Sequence, residues 1–88
     1  MSTRKVFIVA AKRTAIGSFG GSLSTLSAVE LGRRAVMSAL EASGIDTAEV
    51  DELLMGCVLQ AGLGQAPARQ VAKLAGLPDR VTATTINK

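Results

Sequence analysis

The sequence predicts an α/β fold built on a mostly parallel sheet, and two features carry that prediction. Three apolar, β-branched runs, Lys5 to Ala11, Glu52 to Leu59 and Val81 to Ile86, read as strands. The stretches between them contain two segments with apolar residues at three- and four-residue spacing, each closed by a helix stop. Strand, helix, strand, helix, strand (βαβαβ) is the order of a parallel sheet with right-handed crossovers.

The first run, KVFIVAA, is apolar throughout after Lys5 and gives way to Lys12 and Arg13, as expected of a strand buried on both faces. Arg13 to Leu26 holds Gly17, Gly20 and Gly21 among hydroxyl residues and should be a structured loop. Ser27-Ala28-Val29-Glu30 is a capping box, in which the Ser27 hydroxyl and the Glu30 carboxylate satisfy amides of the first helical turn. Val29, Gly32, Val36, Ala39 and Leu40 form the inner stripe of that helix, Arg33, Arg34 and Glu41 lie largely off it, and Gly44 stops it. Asp46 to Glu49 offers a second capping pattern, for one short turn.

Glu52 to Leu59, ELLMGCVL, repeats the buried-strand signature. A loop from Gln60 to Ala66 leads to Pro67, placed where proline favours the first helical turn. The second helix is expected over Pro67 to Ala75, with Val71, Leu74 and Ala75 inward, Arg69 and Lys73 outward, and Gly76 and Pro78 ending it. Val81 to Ile86 is the third strand, and no helix follows it to cover that part of the sheet. Residues 1–88 are therefore expected to be an incomplete domain that continues in a longer chain or pairs with another.

Composition narrows the function classes. With 48% hydrophobic residues the chain has far more apolar material than a disordered segment, but only Phe7 and Phe19 are aromatic, so Val, Leu, Ile, Ala and Met must build the core. A lone domain this short buries only about 60% of the surface its unfolded chain exposes. Ten basic residues against seven acidic ones are scattered and have no Tyr or Trp beside them, which argues against nucleic-acid binding. No apolar run approaches the roughly 20 residues of a membrane span. The stretch from Val6 to Ala11 is also too short for the core of a signal peptide. A single cysteine, Cys57, cannot form an internal disulfide, which fits a reducing compartment, and the cytoplasm is the expected location.

The chemical toolkit is thin. The absence of histidine removes imidazole general acid/base catalysis, a Ser-His triad and imidazole metal ligation. Glu30, Glu41, Asp46, Glu49, Asp51, Glu52 and Asp79 sit at helix starts, helix faces or loops, where capping and solvation explain them, and no metal site is expected. Cys57, between apolar Met55 and Val58, reads as a buried small hydrophobe. Gly62-Leu63-Gly64-Gln65-Ala66-Pro67 lies between a strand and a helix, as a phosphate-binding loop would. It nevertheless lacks the last glycine and the downstream acidic residue of a dinucleotide fingerprint.

Four stretches together resemble the thiolase family: Arg13-Thr14-Ala15-Ile16-Gly17 through Gly20-Gly21; Leu26-Ser27-Ala28-Val29-Glu30-Leu31-Gly32; Val58-Leu59-Gln60-Ala61-Gly62-Leu63-Gly64-Gln65 followed by Ala68-Arg69-Gln70; and Thr85-Ile86-Asn87-Lys88. Their order and spacing cover the whole chain, and the likeness is to the biosynthetic, bacterial acetyl-CoA acetyltransferase branch. The resemblance implies a thiolase-like αβαβα fold of which residues 1–88 form the amino-terminal part. It also implies an acyltransferase that condenses or cleaves acyl-CoA thioesters through a cysteine acyl-enzyme. Covalent catalysis of this kind splits a hard carbon–carbon step into two easier ones.

On this resemblance the nucleophilic cysteine follows the Ile-Asn pattern just beyond Lys88, so the segment itself holds no catalytic residue. The histidine and the second, proton-abstracting cysteine belong to the remainder of the chain, the implied partner of this segment. Ile86 and Asn87 would support the nucleophile loop. Gln65, Arg69 and Gln70 would lie at the contact of a homodimer or homotetramer, with Gln65 bracing the partner's catalytic loop. Coenzyme A enters as acyl-CoA substrate and CoA product, and no separate cofactor is implied. In Gly56-Cys57-Val58 the middle position often holds asparagine in the family, so Cys57 is a departure. The rival within the same fold is a ketoacyl synthase-type condensing enzyme, against which the Gln60 to Gln70 motif argues; the rival from another class is a non-catalytic interaction module.

Overall fold

The structure, a computed structural model, describes residues 3–88. Its regular elements are α1 (Ala28–Ser43), a single 3-10 turn (Thr47–Glu49), β1 (Glu52–Gly56), α2 (Pro67–Leu74) and β2 (Thr82–Ile86). β1 and β2 pair in parallel, in register from Glu52 opposite Thr82 to Gly56 opposite Ile86. Parallel neighbours need a crossover, and α2 supplies it. The fold class is α/β, as the residue pattern predicts.

The N-terminal run departs from that pattern. Residues 5–11 are extended but form no ladder, and Val6, Phe7 and Ile8 are 92%, 74% and 90% exposed. A strand exists only where a neighbour accepts its hydrogen bonds, and β1 and β2 satisfy each other without reaching this segment. Val9 and Ala10 line an open groove of about 280 Å³ with Val36, Leu40, Ile45 and Leu53. The radius of gyration, 14.4 Å, accordingly exceeds the about 12 Å of a compact chain of this length.

α1 begins as the capping motif requires, with the amide of Glu30 donating to Ser27 Oγ at 3.0 Å. The reciprocal half of the box is replaced. The Glu30 carboxylate instead accepts from Arg33 Nε at 2.9 Å and Arg34 Nε at 3.1 Å, because two guanidinium groups three and four residues on outcompete a backbone amide. At the other end Gly44 adopts φ 71°, and its amide reaches the Leu40 and Glu41 carbonyls. The left-handed cap is natural for glycine, whose lack of a Cβ removes the steric penalty.

Hydrogen bonds from Arg33 and then Arg34 hold the Glu30 carboxyl at about 2, below its ordinary 4.5, while partial burial pulls weakly the other way. A depressed folded value means that the unfolded chain takes up the proton first as pH falls. The contribution is thus complete above pH 4.5 and is lost between there and about 2. Glu30→Gln should lower stability at neutral pH, with the two proteins converging near the acid end of that window in urea titrations. The gap should narrow in high salt, because the pair is partly exposed.

α2 folds against the inner face of the pair. In both strands burial alternates, so Leu53, Met55, Ala83 and Thr85 face the helices while Glu52, Leu54, Thr82, Thr84 and Ile86 face outward. The full burial expected of Glu52 to Leu59 is therefore not observed. β1 ends at Gly56, and Leu54, Val58 and Leu59 are exposed because among the described residues only one side of the sheet is covered.

The core centres on Ala72, Leu77 and Val81, with Leu40, Val50, Leu53 and Ala83 packed around them. On α2 the buried residues are Pro67, Ala68, Val71 and Ala72, joined by Ala75 at its C-cap. Leu74, expected inside, is 56% exposed. The buried face is built largely of small side chains, and the larger Leu74 lies off it. α1 meets α2 at an equally tight point: a Cβ on Gly32 would lie 3.0 Å from Val71 Cγ2. Surface pairs Lys73–Asp79 and Arg80–Asp51 tie the connections together and contribute little to stability.

Candidate functional site

Three fastenings, four hydrogen bonds in all, gather the carboxyl ends of the strands, the loop after β1 and the start of α2 into one unit. The Cys57 amide donates to the Ile86 carbonyl at 2.7 Å, extending the parallel ladder one residue past β1. The Ala68 amide donates to Thr85 Oγ1 at 2.9 Å, fastening the first turn of α2 to β2. The third fastening is double. Gln70 Nε2 reaches back to the Leu63 carbonyl at 2.7 Å and the Gln65 carbonyl at 2.8 Å.

The loop between them has an unusual backbone. Gly62 and Gly64 both take φ 78°, and Ala66, at φ 44°, is the only non-glycine residue in the left-handed region among the described residues. Ala66 is the N-cap of α2 but has no side chain to cap it, and Pro67 follows with no amide to satisfy. Thr85 therefore acts as a cap supplied from the neighbouring strand. Earlier in the loop, Gln60 Nε2 donates to the Cys57 carbonyl at 3.1 Å and the Leu63 amide closes a turn on the Gln60 carbonyl at 3.1 Å. The Ala68 amide, at the start of α2, is committed to Thr85.

Cys57 is 9% exposed, with Sγ 3.7 Å from the Leu59 carbonyl, the environment of a buried hydrophobe. Ile86 gives its carbonyl to the ladder while its side chain stays 41% exposed, and Asn87 and Lys88 follow β2 as exposed residues. Gln65 is exposed too. Arg69 and Gln70 are half buried and engaged within the chain: Arg69 Nη2 donates to the Val81 carbonyl at 2.7 Å, and Gln70 holds the loop. Of the three residues grouped at a subunit contact, Gln65 is exposed, while Arg69 and Gln70 are partly buried and, with Lys73 and Leu74, line an open surface groove. Thr85 and Gln60 are the residues whose structural roles the sequence reading misses. The signal for Thr85 was the helix start Ala66-Pro67, which has no side-chain cap of its own.

Against known proteins, residues 6–88 match the family described as "Thiolase, N-terminal domain", nearly the whole chain. The chain belongs to the thiolase family. Among curated thiolase relatives, acetyl-CoA acetyltransferase of Escherichia coli (strain K12) is 54% identical over 81 residues, 92% of this chain and 21% of the relative. The cytosolic acetyl-CoA acetyltransferase of Gibberella zeae is 57% identical, over 94% of this chain and 21% of its own. The mitochondrial acetyl-CoA acetyltransferase of Danio rerio is 58% identical, over 99% and 21%.

A solved thiolase from Ascaris suum, in complex with coenzyme A, superposes with a TM-score of 0.91 at 40% identity, covering 93% of this chain and 22% of that one. The acetyl-CoA acetyltransferase of Syntrophomonas wolfei gives a TM-score of 0.85 at 33% identity, over 89% and 20%. This thiolase segment thus spans about a fifth of the length of the relatives it matches. No helix among the described residues is long and apolar enough to cross a membrane.

Proposed function

We propose that this segment is part of an acetyl-CoA C-acetyltransferase, which condenses or cleaves acyl-CoA thioesters through a cysteine acyl-enzyme. The observation that carries the reading is the likeness over nearly the entire chain to thiolases bearing that name, joined to a 0.91 TM-score against a thiolase holding coenzyme A. The same likeness supports thiolase over a ketoacyl synthase-type enzyme. The exposed Val6, Phe7, Ile8, Leu54 and Leu59 support a segment that packs within a larger fold, because apolar side chains so placed recover stability only when covered.

In this reading the residues present do supporting work. β2 delivers Ile86, Asn87 and Lys88 to the carboxyl end of a parallel sheet, where α/β folds place reactive groups. The remainder of the chain supplies the nucleophile, the base and the CoA site, with CoA as substrate and no resident cofactor. Gln65 faces a second subunit of a homodimer or homotetramer. The compartment is the cytoplasm, as for the Gibberella zeae relative, although the Danio rerio one is mitochondrial.

The test is thiolysis of acetoacetyl-CoA by the full-length protein, followed as CoA-dependent loss of the enolate absorbance. Turnover is expected. Residues 1–88 alone should show none, since they contain no histidine and their one cysteine is buried. An inactive full-length protein, correctly folded and assembled, would reject the assignment.

A further inference from the structure

We propose that Gln70 is a positioning residue: it latches the loop from Gln60 to Ala66 in the shape that presents Gln65 outward, and does not itself form a subunit contact. The inference rests on the thiolase reading above for its catalytic consequence, but its geometry stands independently. Both atoms facing the Gln70 amide are carbonyl oxygens, of Leu63 and Gln65, so only the NH2 end can occupy that place and both of its protons are used. The anchor is firm. Gln70 sits on α2 beside fully buried Val71, and its own amide donates to the Ala66 carbonyl at 3.1 Å.

The loop needs such a latch. Three of its residues, Gly62, Gly64 and Ala66, are in the left-handed region, and for Ala66 that conformation is strained. Little else secures its tip: the turn at Gln60 to Leu63 closes one end and the Ala68 amide on Thr85 fixes the other, so Gly64 and Gln65 depend on Gln70. A Cβ at Gly64 would lie 3.3 Å from Gln70 Nε2, so the loop and the amide are in contact, without room for a bridging water. Gln65 follows directly, its carbonyl held and its side chain exposed.

Donor capacity, and not side-chain shape, is what the latch requires. In the full-length protein, Gln70→Glu keeps the shape but sets a carboxylate against two carbonyl oxygens, Gln70→Leu removes all polarity, and Gln70→Lys restores donors. The expected result is a kcat for acetoacetyl-CoA thiolysis lowered about 10- to 100-fold in the Glu and Leu variants, as for a displaced catalytic element. Their KM should change by less than about 3-fold, because uniform binding is untouched. The Lys variant should recover most of the rate.

Light scattering should give all variants the parent's oligomeric mass, and amide exchange over residues 61–66 should be faster in the Glu variant. Unchanged kcat in the Glu variant, whether or not its melting point falls, would overturn the proposal. So would loss of activity through subunit dissociation, which would make Gln70 a direct contact, or failure of the Lys variant to recover. If the parent lacks thiolysis altogether, the enzyme reading fails instead, and exchange over 61–66 still decides whether Gln70 is the latch.

Discussion

Replacing Ala72 by aspartate should leave the protein largely unfolded. Ala72 is 0% exposed and lies against Leu77 and Val81 at the centre of the core, on the face of α2 that touches the sheet. A larger side chain there must displace packed neighbours, at a cost of about 1–3 kcal/mol. Its carboxyl group, even if it stays protonated, meets only apolar side chains in that cluster and costs about 1–3 kcal/mol more. Together, at about 2–6 kcal/mol, these reach the lower end of an ordinary domain's stability, about 5–15 kcal/mol, and a chain this short lies near that end. Ala72→Gly, by contrast, loses one methyl and some helix propensity, about 1 kcal/mol or somewhat more. Soluble yield and urea denaturation of the two variants check the contrast. An aspartate variant within about 0.5 kcal/mol of the parent would mean that α2 does not pack as described.

Ala72 also shows where pattern reading falls short. Alanine carries a weak hydrophobic signal, so an inward face made of Ala68, Val71, Ala72 and Ala75 is overshadowed by the larger Leu74, which in fact lies outside. Local grammar fares better. The Ser27 cap, the Gly44 stop, the Asp46 turn and the Pro67 start depend on neighbours within four residues, and each is where its residues put it. Strands are the opposite case. Glu52 to Gly56 and Thr82 to Ile86 form because they find each other across 30 residues, whereas Val6 to Ala11, with as strong a propensity, has no partner in the described chain.

The candidate site divides the same way. The resemblance to thiolases groups Gln65, Arg69 and Gln70 as subunit-contact residues, but it could not say which of them hydrogen-bond within the chain. That depends on hydrogen bonds to backbone carbonyls at Leu63, Gln65 and Val81, and a carbonyl leaves no mark on its residue's identity. Glu30 illustrates a related failure. Its spacing from Ser27 spells a capping box, yet Arg33 and Arg34 claim its carboxylate, and local competition decides the outcome.

Thr85→Val should destabilise the protein more than Thr85→Ser, although valine better preserves the side chain's volume. Thr85 sits on the inner face of β2, and its hydroxyl is the recorded partner of the Ala68 amide on a residue that is 0% exposed. Valine leaves that donor buried without an acceptor, at about 1–3 kcal/mol. Serine keeps the oxygen and loses one methyl, about 0.8 kcal/mol. If packing governed the position the order would invert, so denaturant midpoints of the two variants separate the effects directly. The consequence should extend beyond stability, because the bond joins the start of α2 to the strand that ends at Ile86 and leads into Asn87 and Lys88. Faster exchange of the Ala68 amide in the valine variant, with the serine variant near the parent, would place the loss at this junction and not in the core.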